Sequence, residues 1–209
     1  MSIQENYCST VYCRAFKEAG CSGSAAPDVD MPEIISKTLQ ASDWLKNMQN
    51  NASGPLKPHQ KLKISLAGCA NGCSRPHIHD LGVMGAITPC VDLSLCNGCG
   101  ICVDECPDRA IFLAQEQARV DYGQCLSCGK CLGVCPQEAI TAREQGFRVV
   151  IGGKLGRRPV LACELEGLFS ADEVVHILVQ IMDLHEQALE QGKRIRDMPQ
   201  LKGLPGWRS

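Results

Sequence analysis

A doubled cysteine run decides the fold of this chain. It reads CNGCGICVDECP from Cys96 to Pro107 and CLSCGKCLGVCP from Cys125 to Pro136. In each run two residues separate the first cysteine from the second and the second from the third. Three residues then separate the third cysteine from the fourth, which directly precedes a proline. The short intervals let one tight turn direct three thiolates at one cube of iron and sulfide. The pattern therefore predicts two 4Fe–4S clusters.

The two runs are expected to exchange their fourth ligands. In the bacterial ferredoxin pattern, the cysteine before the proline binds the cluster of the other run. The predicted ligands are Cys96, Cys99, Cys102 and Cys135 for the first cluster and Cys125, Cys128, Cys131 and Cys106 for the second. Structural zinc sites or a disulfide framework are the alternatives, but zinc favours paired two-cysteine elements over such runs. We predict that residues 92–142 form a two-cluster ferredoxin domain.

Composition excludes several classes of function. The chain has 209 residues and a net charge of -2, which favours neither nucleic acid nor anionic membranes as a partner. The first residues, MSIQE, lack the basic and apolar regions of a signal peptide, and no apolar run approaches the length of a membrane span. Eight of the fifteen cysteines have ferredoxin spacing, and such thiolates require a reducing compartment. We expect a cytoplasmic protein of anaerobic metabolism.

Both helix and strand patterns flank the ferredoxin domain. The apolar spacing predicts a helix over 31–49 and a long helix opened by Ser170, with Glu173 completing a capping box. Strands are predicted over 61–67, 81–87 and 147–151, and the tail from Lys193 to Ser209 is predicted to be mobile or partner-bound. The fold class is thus α+β, with a discontinuous domain over 1–91 and 143–209 that the ferredoxin domain interrupts.

Seven cysteines lie outside the doubled run. Cys69 and Cys73 sit in a glycine-rich turn after a predicted strand, and Cys8 and Cys13 form another close pair. Four such thiols from two segments would suffice for a third cubane cluster, although close cysteine pairs also occur as structural thiols. Cys90 and Cys163 have no evident partner, and we predict that both are small buried residues.

Two segments carry a family resemblance. The stretch ISLAGCANGCSRPHIHDLG over 64–82 resembles the signature of the sirohaem nitrite and sulfite reductases, and VVIGGKLGR over 149–157 resembles their later glycine-rich element. Within that family the arrangement is similar to the C subunit of anaerobic sulfite reductases, and the size is similar to low-molecular-weight sulfite reductases. The resemblance implies a nitrite/sulfite reductase 4Fe–4S half-domain around the ferredoxin insert.

The resemblance also implies a third 4Fe–4S cluster that is coupled to sirohaem. Carried over by motif, Cys69 and Cys73 are ligands, and Cys73 is the thiolate shared with the sirohaem iron. Cys8 and Cys13 would be the first pair. The family spacing in that pair is five residues, whereas here it is four, so Cys21 is the alternative to Cys8.

Sirohaem carries several carboxylates, so its pocket is expected to contain cations and polar donors. The candidate cofactor-binding residues are Asn71, Arg75, His77, Lys154 and Arg157, with Arg158 beside them. The alternative is that these cations are ordinary solvated surface charges. His77 and His79 have either a proton-donating or a structural role.

The resemblance implies a sulfite or nitrite reductase, or its catalytic or electron-transfer subunit, in which two ferredoxin clusters relay electrons to the coupled cluster and sirohaem. The alternative is a sirohaem-free iron–sulfur electron carrier. The family has a further N-terminal half that completes the haem pocket, and this chain starts almost at the first cysteine. We therefore expect an electron-donating partner and either a homo-oligomer or a second subunit.

Overall fold

A mixed sheet of five strands forms the centre of the molecule. The computed structural model describes residues 6–51, 56–204 and 206–207. In chain order the strands are β1 (Cys8–Tyr12), β2 (Leu62–Ala67), β3 (Leu81–Val91), β4 (Ile111–Ala114), β5 (Gln117–Val120), β6 (Ile140–Ile151) and β7 (Cys163–Glu164). The main sheet has the order β1-β2-β3-β6-β7, and β4 and β5 form a separate hairpin. Strands β1, β2 and β3 run parallel, whereas β3–β6 and β6–β7 are antiparallel.

Helices cover one face of the main sheet. They are α1 (Met31–Ala41), α2 (Asp43–Asn51) and α4 (Ala171–Glu190), while α3 (Ile101–Asp104) lies in the ferredoxin segment. Alternate residues of β2, including Ile64, point into the helix-covered core, as Phe147 of β6 does. Met84 and Val150 lie on the opposite face, in a smaller apolar cluster. The sheet thus separates a large core from a second face on which the cysteine loops lie.

The sequence predicted several of these elements. Helix α4 begins after Ser170 with the predicted capping box, in which Ser170 Oγ accepts from Glu173 N–H and Glu173 accepts in return from the Ser170 backbone. Strand β2 agrees with its alternating pattern. The α+β fold class is confirmed. The division at residues 92–142 stays a prediction, although β3 ends at Val91 and β6 begins at Ile140.

Two predicted elements were wrong. The helix over 31–49 is broken at Ser42, whose hydroxyl donates to the Leu39 carbonyl at 2.7 Å and ends α1 there. The tail is folded over 193–204 and 206–207, because two 3-10 helices (Ile195–Asp197 and Pro199–Gly203) bury apolar side chains against α4 and the core. Residues 205, 208 and 209 of the tail, and the first five residues, lie outside the described part of the chain.

Within the described residues, no helix combines the length and the apolar character that crossing a bilayer requires.

A buried histidine on α4 makes stability depend on pH. His185 is packed edge-on against Trp44, its Nε2 lies 2.8 Å from the Gln60 carbonyl, and its Nδ1 has no hydrogen-bond partner among the described residues. Burial lowers the pKa of His185 from 6.5 to about 4, although the Gln60 contact opposes the shift and Arg194 adds to it. The folded protein therefore holds this ring neutral, whereas the unfolded chain protonates it below pH 6.5.

We expect the wild-type protein to lose stability as pH falls below about 6.5, by roughly 1.4 kcal/mol per pH unit from this group. A His185→Gln variant should lack that component. Thermal midpoints of both proteins, measured anaerobically from pH 7.5 to 5.5, test this. Asp80 and His185 line one small pocket, and burial raises the pKa of Asp80 to about 6, but Asp80 is common to both proteins. If the thermal midpoints of both proteins fall in parallel as the pH is lowered, His185 is not the source of the pH dependence.

Candidate iron–sulfur and sirohaem site

The structure brings together the four cysteines predicted for the first cluster. One pocket is lined by all four together with Leu113 and Ile140. We call it the first pocket. Burial raises the pKa of Cys102, and charge on Cys135, Cys96 and Cys99 adds to the shift. Cys135 of the second run thus lies beside three cysteines of the first, as the crossed assignment requires.

A second pocket holds the other predicted set. It is lined by Cys106, Cys125, Cys128 and Cys131, with Ala110 and Ile111 beside them. Burial raises the pKa of Cys131 to about 12, and Cys128, Cys125 and Cys106 add to the shift. Among the described residues, no three His, Cys, Asp or Glu side chains converge closely enough to hold a single metal ion. The eight cysteines instead surround two spaces, and their ligation stays a prediction.

Backbone N–H groups already point at several of these sulfurs. Ala118 N–H donates to Cys96 Sγ at 3.4 Å, and Ala139 N–H donates to Cys135 Sγ at 3.3 Å. In the second pocket, Ala110 N–H donates to Cys106 Sγ at 3.2 Å and Ser127 N–H to Cys125 Sγ at 3.4 Å. Such bonds stabilise negative charge on a thiolate and tune the potential of a bound cluster. These N–H groups therefore favour thiolates in both pockets, whereas burial, which raises the pKa of Cys102 and Cys131, favours the neutral thiols.

The second pocket is docked on the main sheet. Ile87 N–H of β3 donates to the Ser127 carbonyl at 2.7 Å, and Thr88 Oγ1 lies 3.2 Å from Ser127 Oγ. Arg148 of β6 donates to the Leu126 carbonyl at 3.3 Å. These contacts all involve the loop that carries Cys125 and Cys128. The second pocket is thus attached to the sheet through that loop.

A third group of cysteines lies at the ends of β1 and β2. Cys69 and Cys73 follow β2, and Cys13 follows β1, with its Sγ accepting from Gly68 N–H at 3.2 Å. Burial raises the pKa of Cys69, and charge on Cys73, Cys13 and Cys21 adds to the shift. Cys73 is exposed, whereas Cys69 and Cys13 are half-buried. We call Cys13, Cys21, Cys69 and Cys73 the third cysteine group.

Cys8 lies elsewhere. It begins β1 opposite Leu62, it is 4% exposed, and it belongs to the helix-covered core. Burial raises its pKa to about 12. The structure therefore does not bring the predicted ligand Cys8 beside Cys69.

The two segments that carry the family resemblance contact each other directly. Gly153 N–H donates to the His79 carbonyl at 2.8 Å, and Ala162 N–H donates to the His77 carbonyl at 2.8 Å. Lys154 follows Gly153 immediately, so it belongs to the same region of the surface as the turn after Cys73. The predicted sirohaem residues are therefore drawn from adjoining segments.

The candidate cations there are available to a ligand. Arg75, Arg157 and Arg158 are exposed, and Lys154 is half-buried. No ion pair or side-chain hydrogen bond of these four residues is found within the described part of the chain. Arg75 has a left-handed backbone with φ of 61°, and its carbonyl lies 2.8 Å from His79 Nδ1. An exposed thiol beside such cations fits an iron macrocycle that carries carboxylates.

Sequence reasoning missed two features of the site. It predicted burial of Cys90 and Cys163, but Cys90 is exposed and Cys163 half-buried. It treated His77 and His79 as side chains only, whereas their carbonyls hold the glycine-rich segment. Asn71 lies exposed in the turn between Cys69 and Cys73, and its contact with the cofactor stays a prediction. The glycine pair at 152–153 was the available signal for close backbone contact.

Comparisons with known proteins agree on one family. Residues 23–208 match the family model described as the nitrite and sulphite reductase 4Fe-4S domain. The chain is 43% identical over 136 residues to the coenzyme F420-dependent sulfite reductase of Methanocaldococcus jannaschii, covering 65% of this chain and 22% of that protein. It is 36% identical over 50 residues to the C subunit of the anaerobic sulfite reductase of Salmonella typhimurium, covering 24% of this chain and 15% of that relative.

A solved structure shares the fold. The crystal structure of dissimilatory sulfite reductase I superposes with a TM-score of 0.51 over 94% of this chain and 49% of that one, at 17% identity. The chain thus spans about a fifth or less of the curated relatives above and about half of this structural neighbour.

Proposed function

The chain belongs to the nitrite and sulphite reductase 4Fe-4S domain family, and from this we propose that it is the electron-carrying and sirohaem-binding part of a sulfite- or nitrite-reducing enzyme. Two ferredoxin clusters would take electrons from a donor. A third cluster, bridged to sirohaem through Cys73, would receive them.

One observation about β3 carries the proposal. The second pocket contacts β3 at Ile87, whose N–H donates to the Ser127 carbonyl at 2.7 Å. Two residues earlier, Gly85 lies so close to Ala26 and the Gly68 carbonyl that a Cβ there would clash with both. Gly68 directly precedes Cys69. The loops of the second pocket and of the third cysteine group therefore meet the same strand about 7 Å apart along its axis.

That placement supports an ordered route for electrons along β3. The first pocket reaches the main sheet at Ile140, which pairs with Val91 at the end of β3. The second pocket meets the same strand at Ile87, and the third cysteine group meets it at Gly85. A bound 4Fe–4S cluster carries single electrons, and sirohaem iron would hold the sulfur or nitrogen oxyanion that receives them. Cys73 is an exposed thiol of the last group, so a ligand outside the protein surface can reach its sulfur.

The protein's own side chains would bind and orient the macrocycle. Arg75 and Lys154 lie beside the turn of Cys73, on segments joined by the Gly153 N–H bond to the His79 carbonyl. Their positive charges would pair with carboxylates, since arginine binds a carboxylate through two parallel N–H bonds. Arg157 and Arg158 would act from the loop that follows.

We also propose a partner. One relative is the C subunit of an anaerobic sulfite reductase. An electron donor must reach the first pocket, and either a second copy or another subunit would cover the exposed turn at Cys73. A cytoplasmic location accords with this, because a reducing compartment preserves the thiolates.

Turnover tests the proposed function. The full chain is expressed with a sirohaem supply and purified without oxygen, and sulfite-dependent oxidation of a reduced dye is followed, with nitrite as the second substrate. We expect bound haem and oxidation of the dye by at least one of the two. Protein with normal clusters, no haem and no turnover would contradict the proposal and favour a sirohaem-free electron carrier.

A further inference from the structure

We infer that Cys21, not Cys8, completes the third 4Fe–4S cluster with Cys13, Cys69 and Cys73. This rests on the proposed function, because it takes the third cluster as given and names its fourth ligand.

Distance along the sheet argues against Cys8. Strands β1 and β2 are parallel and in register, with Cys8 opposite Leu62 and Tyr12 opposite Leu66. Four residues of strand place Cys8 about 13 Å behind the end at which Cys13 and Cys69 leave the sheet. A single 4Fe–4S cube is too small to bind two thiolates that are separated by this distance.

The face of the sheet argues against Cys8 as well. Its side chain belongs to the core beneath α1, α2 and α4, together with Leu62 and Ile64. Cys13 packs instead on the smaller cluster of Ala67, Met84 and Val150, on the other face. The sheet itself therefore separates Cys8 from Cys13.

Cys21, by contrast, is held at the loop of Cys69. The segment after Cys13 turns back, with Arg14 Nε donating to the Gly20 carbonyl at 2.8 Å. The Cys21 carbonyl then accepts from Ser24 N–H at 3.1 Å, and Ala25 N–H donates to the Gly68 carbonyl at 2.7 Å. Gly68 also donates to Cys13 Sγ. Thus Cys13 and the segment of Cys21 both contact Gly68, which is the residue directly before Cys69.

The exposure of the thiols also agrees with Cys21 as the fourth ligand. Cys21 is exposed and Cys69 half-buried, so both can face a cluster placed at the protein surface beside the exposed Cys73. The geometry thus brings the segments that carry the four thiols together at Gly68, at the ends of β1 and β2.

Matched alanine variants test the inference. In the full chain purified anaerobically, we expect about twelve acid-labile sulfides in the wild type, about twelve in Cys8→Ala and about eight in Cys21→Ala. Electron paramagnetic resonance of the two ferredoxin clusters monitors folding in each variant. Loss of four sulfides from Cys8→Ala with both ferredoxin signals intact would overturn the inference, as would twelve in Cys21→Ala. About eight in the wild type would instead overturn the third cluster itself.

Alkylation of the wild type tests the same point without a variant. Cys90 is exposed and lies outside the three proposed ligand sets, so it is the reference thiol. In holoprotein that contains about twelve sulfides, iodoacetamide should label Cys90 and leave Cys21 unlabelled, and removal of the clusters should make Cys21 reactive. Labelling of Cys21 as fast as Cys90 in that holoprotein would overturn the inference.

Discussion

Replacing Cys135 with alanine is expected to remove the cluster in the first pocket, although Cys135 belongs to the second cysteine run. Cys135 lines the same pocket as Cys96, Cys99 and Cys102, and it receives the Ala139 N–H bond. Acid-labile sulfide should fall by about four per chain, with the signal of the second-pocket cluster retained.

Cys106→Ala is the matched control for that variant. Cys106 belongs to the first run but lines the second pocket, so its loss should remove the other cluster. The two variants are therefore expected to show complementary resonance spectra. If Cys135→Ala loses the cluster of Cys125, Cys128 and Cys131 instead, the crossed assignment fails.

Replacing Cys73 with serine is expected to abolish both the sirohaem absorption and sulfite-dependent turnover. Cys73 is an exposed thiol of the third cysteine group, and the exposed Arg75 follows two residues later. A serine hydroxyl is a much harder ligand and does not reproduce a thiolate bridge between cluster and haem iron.

Cys69→Ser separates the bridging role from cluster ligation alone. Cys69 belongs to the same group but is half-buried, so its loss should disturb the cluster while leaving Cys73, the thiol proposed to hold the haem. We expect a larger change in haem absorption for Cys73→Ser than for Cys69→Ser. Equal haem spectra in wild type and Cys73→Ser would show that Cys73 does not bridge.

Elements with a strong local pattern could be predicted from the sequence. The spacing of the doubled run divided eight cysteines into the two sets that line the two pockets, because short loops leave little choice of partner. The capping box at Ser170 predicted the start of α4 for a similarly local reason. The capping box and the first three cysteines of each run are local signals, whereas the exchange of the fourth cysteine came from the bacterial ferredoxin pattern.

Elements that depend on distant contacts could not be predicted. Strand β1 is short and largely exposed, and it exists because it pairs with β2, more than fifty residues away. Strands β3 and β6 extend beyond their apolar segments because each supplies the hydrogen bonds of the other as far as Val91 and Ile140. A sequence pattern does not record such pairing.

The third cysteine group shows the same limit within the site. Close spacing favoured Cys8 as the partner of Cys13. However, side chains alternate between the two faces of a strand, so positions an odd number of residues apart point to opposite faces. A strand also rises by about 3.3 Å per residue, so Cys8 lies far from the end of β1 that precedes Cys13. Cys21 is further in sequence and nearer in space, because the loop after Cys13 folds back to Gly68. Only the paired sheet reveals this.

The central claim is that one chain holds three cubane clusters and one sirohaem. The direct measurement is acid-labile sulfide and extractable sirohaem per chain, in wild-type protein made with a sirohaem supply and purified without oxygen. We predict about twelve sulfides, from three 4Fe–4S clusters, and about one sirohaem. About eight sulfides and no sirohaem would contradict the claim and leave a two-cluster electron carrier.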